Sequence, residues 1–269
     1  MKTSAALAFA AILSVSLAAS APTPDTSTSN FGVLAGTAVT CTQSTINGDV
    51  GVWPGTAVTR TGCPITGTVH AADAAAEQAF LDFVAAYNDL RDSPPACDQT
   101  LTGTLAGQTL VPGVYCVDAV AKTGTLMLDA QGDANATWTF LVNGALTGTN
   151  FTVLMINGGD PCNVLWWARD AATLTTSNFI GTILAGAAIT VKGGTFHGDV
   201  FAKAAITLTD ATIVACPATS AGGPGGKVHR KCNQGVGNGP EGCDPGNSNH
   251  HNPSNDERGG TPGNPGRKR

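Results

Sequence analysis

The sequence predicts a mostly-β fold, a β-solenoid of triangular cross-section with one long α-helix packed along it. Three observations carry that prediction. Thr173, Thr190 and Thr207 recur at a constant step of 17 residues, which suits one coil made of three short strands and tight turns. An Ala-x-Thr-x-Thr string returns along the chain, as the outward side of a strand would, because successive side chains of a strand point to opposite faces. A single Ala-rich segment breaks the pattern with apolar residues spaced by three and four. Composition agrees, since 34 glycines and only 12% charged residues suit repetitive β architecture better than helices.

Taken in chain order, residues 1–21 read as a secretory signal peptide. Lys2 gives the positive start, Leu7 to Leu17 the apolar run and Ala19-Ser20-Ala21 the small-residue cleavage site. That run is too short to span a bilayer and no later segment is apolar enough to do so, so a secreted, extracellular location is expected, with cell-surface association as a variant of it. Residues 22–30 form a Ser/Thr/Pro leader without apolar period, expected to be disordered. The ordered solenoid domain is expected over 31–216. The tail over 217–269 is rich in Gly, Pro and Asn, with too few large apolar residues to bury a core.

Within 31–216 the 17-residue columns are consistent: Leu174, Val191 and Leu208; Phe179, Phe196 and Ile213; Ile183 with Val200; Gly181 with Gly198; Ala185 with Ala202. Leu174, Val191 and Leu208 are expected to face the core. The outward sets are then Ala171, Thr173 and Thr175; Ala188, Thr190 and Lys192; Ala205, Thr207 and Thr209. The same string stands at Ala38, Thr40 and Thr42, at Ala57, Thr59 and Thr61, and at Ala145, Thr147 and Thr149. A seventh match, Ala121, Thr123 and Thr125, would turn Lys122 inward and is set aside. Lys192 interrupts the column and is placed at the edge of the patch.

A helix is expected over 71–91, with Ala76, Phe80, Phe83, Tyr87 and Leu90 on its apolar stripe. Asp73 and Glu77 suit the positive end of its dipole, and Pro94 and Pro95 stop it. At about 1.5 Å per residue the helix spans roughly the height of six or seven coils at about 4.8 Å each, so it can cover one flank of the solenoid.

Eight cysteines in an exported chain are expected to pair. Connectivity does not follow from sequence; nearness along the chain or across coils suggests Cys41–Cys63, Cys97–Cys116, Cys162–Cys216 and Cys232–Cys243. A net charge of −5 argues against nucleic acid, which needs a basic stripe. Asp129, Gln131, Asp133 and Asn135 mimic a calcium loop, but the sixth position lacks Gly and Phe140 occupies the twelfth, so a turn is expected there. His70, His197, His229, His250 and His251 show no metal spacing outside the last pair. No cofactor, metal or nucleophile arrangement is expected.

Several strings resemble the widespread microbial ice-binding protein family, built as a discontinuous right-handed β-helix with a parallel α-helix. They are FGVLAGTAVT at 31–40, INGDVGVWPGTAVT at 46–59, LVPGVY at 110–115, GTLMLDAQGDANATWTF at 124–140, INGGDPCNVLWW at 156–167 and FIGTILAGAAITV at 179–191. Some members carry a T-A/G-x-T/N motif on a flat ice-binding side. Here Thr37-Ala38-Val39-Thr40, Thr56-Ala57-Val58-Thr59 and Thr147-Gly148-Thr149-Asn150 fit it, while Ala187 and Ala204 replace the leading Thr in later coils.

The resemblance implies a monomer that holds ice or ordered water on the Thr-lined side, slows ice growth or recrystallisation, and catalyses nothing. The sequence also admits two rival readings. One is a secreted or surface structural protein, its tail meeting the cell envelope or a matrix. The other is a carbohydrate-active β-helix enzyme, which would need Asp170, Asp199 and Asp210 to converge.

Overall fold

Strands joined mostly by turns, and interrupted by one long helix, run from residue 31 to 217, the residues that the structure, a computed structural model, describes. The expected signal, the leader, the tail beyond residue 217, the Cys232–Cys243 pair and His229, His250 and His251 lie outside them. All strand pairs are parallel and form two nine-stranded sheets. One sheet makes a single side of the solenoid. The other makes two sides, because long strands such as Ala172–Ile180, Ile189–His197 and Ile206–Val214 bend midway.

The bend sits at a column of left-handed residues: Gly62, Gln43, Asp210, Gly193, Thr176, Asn150 and Gly124 all have φ between 47° and 72°. Only some are Gly, so several coils hold a side chain where glycine would relax more readily. The paired Gly181 and Gly198 mark another corner, where a Cβ on Gly198 would lie 2.1 Å from the Gly181 carbonyl oxygen.

Coil order differs from chain order. The strands Ala57–Thr61 and Ala38–Thr42 stack next to Ile206–Val214, with Thr40 opposite Thr207. On the other sheet Val33 pairs with Val200. The chain therefore lays down coils at one end, crosses back through the helix, and returns coil by coil to meet its own beginning. This is the discontinuous β-helix.

The helix runs over Ala74–Asp92, three residues later than expected at its start. Ala71 ends the strand Val69–Ala71 and Ala72 has φ 53°, so the helix cannot begin until Asp73 caps it by accepting from the Ala76 amide. Ala76, Phe80, Phe83, Tyr87 and Leu90 are buried as their spacing predicts. They pack on Phe31, Leu34, Leu165, Trp167, Leu184 and Phe201, which point outward from the single-sided sheet. Burying each large apolar side chain contributes about 1.5–3 kcal/mol. Tyr87 donates to the Arg169 carbonyl at 2.7 Å, Trp167 Nε1 donates to the Tyr87 carbonyl, and Lys203 lies over the Tyr87 ring. The helix thus occupies one side of the triangle and leaves two open.

Inside, the predicted columns face the core: Leu174, Val191, Leu208, Phe179, Phe196 and Ile213 are all buried. Phe140 stacks on Trp166 at 3.8 Å, and Phe179 on Phe196 at 5.3 Å. Disulfides join Cys41 to Cys63, Cys97 to Cys116 and Cys162 to Cys216, as nearness suggested.

Lys122 is turned inward, opposite Gly148, and is only 1% exposed. Its Nζ reaches Asp118 at 2.6 Å and the Gly103 carbonyl at 2.8 Å. Burial pushes the Asp118 carboxyl up, but bonds from Lys122 and the Gly103 amide outweigh it and hold the group below its ordinary range. The pair lies one coil in from the end of the stack, with Leu101, Leu105 and Leu110 of the end coil buried in the same core.

Candidate functional face

The first half of each long strand forms the first open side. Its register places Thr59, Thr40, Thr207, Thr190, Thr173 and Thr147 side by side in six successive coils. A second column holds Thr61, Thr42, Thr209, Lys192, Thr175 and Thr149. Their inward neighbours Val39, Cys41, Leu174, Val191 and Leu208 are buried, so the period-2 alternation turns every one of these threonines to solvent. Ala38 pairs with Ala57, and Ala188 and Ala205 precede the strands on the same side, half-buried. Small residues there keep the surface low beside the hydroxyls.

Among the described residues, no hydrogen bond within the protein takes up the hydroxyls of either column. They remain available to water outside. Every strand of the face pairs on both sides except the end strand Ala57–Thr61, which pairs with Ala38–Thr42 alone, and β-branched Thr is stiff at χ1, so the hydroxyls and methyls are held in place before anything docks.

Other expected face residues fall at the rim. Thr37 and Thr56 are exposed in the turns that lead into Ala38–Thr42 and Ala57–Thr61. Asn150 belongs to the left-handed corner and not to the side itself. Lys192 stands between Thr209 and Thr175 in mid-column, not at the edge of the patch, because the 38–61 coils stack beyond Thr209. The Ala121 string is offset by one Thr place: Lys122 pairs with Gly148, so Ala121 falls level with Thr147 and not with Ala145.

The carboxylates that an enzyme would gather stand apart. Asp210 is at the bend of the long strands, Asp170 at the turn into Ala172–Ile180, and Asp199 in the buried corner before Val200–Ala202. Burial pushes Asp199 up to about 7, against bonds from the Cys216 amide and the Thr182 hydroxyl. Asp129 accepts from the Asn157 side chain and the Gln131 amide, and Asp133 from the Asn135 amide, so this segment is a capped turn. Among the described residues no group of three or more His, Cys, Asp or Glu is placed to hold a metal ion, and no helix is long and apolar enough to cross a membrane.

Known proteins are similar to this chain in sequence and in fold. An ice-binding protein from Nostoc sp. (strain HG1) is 40% identical over 171 residues, covering 62% of this chain and 63% of that protein. The crystal structure of an ice-binding protein from an Antarctic biological consortium superposes with a TM-score of 0.67 at 35% identity, over 75% of this chain and 95% of that one. One from the Antarctic ascomycete Antarctomyces psychrotrophicus gives 0.65 at 34%, over 71% and 97%. The family description "Ice-binding-like" matches residues 33–214, from the first described strand, Phe31–Ala35, to the last in chain order, Ile206–Val214, and by that match this chain belongs to the ice-binding-like family.

Proposed function

We propose that this chain adsorbs to ice, or to water ordered as in ice, through the first open side, and slows ice growth or recrystallisation without covalent chemistry. The observation that carries the reading is the unbroken column Thr59, Thr40, Thr207, Thr190, Thr173 and Thr147. Parallel pairing spaces these residues by about 4.8 Å along the stack, and every second residue of a strand lies about 6.6 Å further on. Such a grid can hold water in a lattice-like layer. The cost of docking is low because the side is already rigid, so contacts that are weak singly suffice together. The relatives named above are ice-binding proteins, which supports the same role here.

The domain plan of signal, leader, solenoid and tail belongs to this proposal, with a monomeric protein acting outside the cell. Three disulfides suit such an oxidising compartment. The test is thermal hysteresis and recrystallisation inhibition, measured for wild type, Thr59→Tyr and Thr190→Tyr. Wild type should alter ice growth, and each Tyr should weaken the effect by standing above the grid. Unaltered ice growth at high wild-type concentration would overturn the function; full activity in both variants would move it to another side.

A further inference from the structure

The second half of each long strand continues past the left-handed corner and forms the second open side. It repeats the same device. Thr45, Thr212, Thr195, Asn178, Thr152 and Thr125 stand opposite one another in six successive coils. Beneath them Ile46, Ile213, Phe196, Phe179, Val153 and Leu126 are buried, so the column points outward. Thr195, Asn178 and Thr212 are exposed and the other three half-buried. The neighbouring outward places hold Asn47, Val214, His197, Ile180, Leu154 and Met127.

Two features separate this surface from an ordinary solvated sheet. Neither column contains a carboxylate, an ammonium or a guanidinium group, although charged residues are what usually keep an exposed sheet soluble. Apolar groups stand open on it, Leu154 being 47% exposed. An ordered-water layer tolerates both, because methyls and hydroxyls fit a lattice of water while fixed charges impose their own hydration. The side is also continuous with the first through the same strands, so the two grids are rigidly joined.

From this we infer that the second open side is a second ice-binding surface, meeting a different set of ice planes from the first. The inference rests on the ice-binding reading of the first side. Its test uses the full chain carrying a fluorescent label, adsorbed to a single-crystal ice hemisphere, for wild type, Thr190→Tyr, Thr195→Tyr and the double variant. The expected result is that each single variant loses one set of stained planes, that Thr190→Tyr keeps the remainder, and that the double variant stains none. Asn178→Tyr should repeat the Thr195→Tyr pattern, and thermal unfolding should match wild type throughout.

Loss of all staining by Thr190→Tyr alone, with Thr195→Tyr and Asn178→Tyr like wild type, would overturn the second surface while leaving the first. Absence of wild-type staining would overturn both. Concentration-dependent dimers abolished by Thr195→Tyr, with staining unchanged, would make the side a contact between copies and would also overturn the inference.

Discussion

The Ala211 amide donates to Ser44 Oγ at 3.0 Å across 167 residues of chain, tying the last coil to the first. Ser44 in turn donates to the Thr42 carbonyl at 2.8 Å. Ser177 does the same two coils away from Ala211, accepting from the Phe151 amide and donating to the Thr175 carbonyl. Both serines are buried just past the left-handed corner, where the bend interrupts the ladder of backbone bonds. Each hydroxyl stands in for a missing backbone partner.

Ser44→Ala should therefore destabilise the fold by about 1–3 kcal/mol, the cost of leaving a buried amide and carbonyl unpaired. Urea unfolding of the full chain would measure it. A variant as stable as wild type would mean that water already serves these groups.

The buried Lys122–Asp118 pair predicts an asymmetry between the substitutions of its two members. Asp118→Ala leaves an ammonium that is 1% exposed with only the Gly103 carbonyl, and should cost about 3 kcal/mol or more. Lys122→Met removes the charge and fills similar space in a column otherwise apolar, so it should cost less, and it should rescue much of the loss when combined with Asp118→Ala. Equal losses in the two single variants, without rescue, would mean that the pair acts only through packing.

How much of this was legible in the sequence depended on which physical rule each residue obeys. The 17-residue columns and the alternation of Thr with apolar residues were readable because both are local, and the register confirms the core column of Leu174, Val191 and Leu208. The helix stripe was readable for the same reason. Its start was not, because Ala71 suits helix and strand alike and pairing with Val52 decides the matter. Coil order was not readable either. Nothing local in Thr40 announces Thr207 as its neighbour, and so local spacing puts Lys192 at an edge that the stack turns into a centre. Lys122 defied hydropathy because its partner Asp118 lies one turn of chain away and satisfies the charge.

Asp199 predicts a pH effect opposite to that of the other shifted carboxylates. Its folded value of about 7 stands above the ordinary 3.8, so between those values the folded protein keeps a proton that the unfolded chain has released. Stability is then greatest below the ordinary carboxylate range and falls as pH rises through about 7, by at most about 4 kcal/mol. Asp118 and Asp129, held low by their bonds, lose their contribution only below that window. Asp199→Asn should flatten the decline between pH 4 and pH 7, read as melting temperature against pH relative to wild type. Parallel declines in the two proteins would assign the effect to another group.

Lys192 predicts a gain of function. It is exposed between Thr209 and Thr175, and its flexible stem lifts a strongly hydrated ammonium above an array of methyls and hydroxyls. Docking the side on ice must strip or push aside that hydration, which costs energy that the neighbouring threonines must offset. Lys192→Thr would make the second column as continuous as the first, from Thr61 to Thr149. It should inhibit recrystallisation at a lower protein concentration than wild type, with Lys192→Ala falling between them because it removes the charge without adding a hydroxyl. The order of the three separates charge from lattice match: Ala equal to Thr means that only the ammonium hindered docking, whereas wild type above both means that Lys192 itself grips the ice surface.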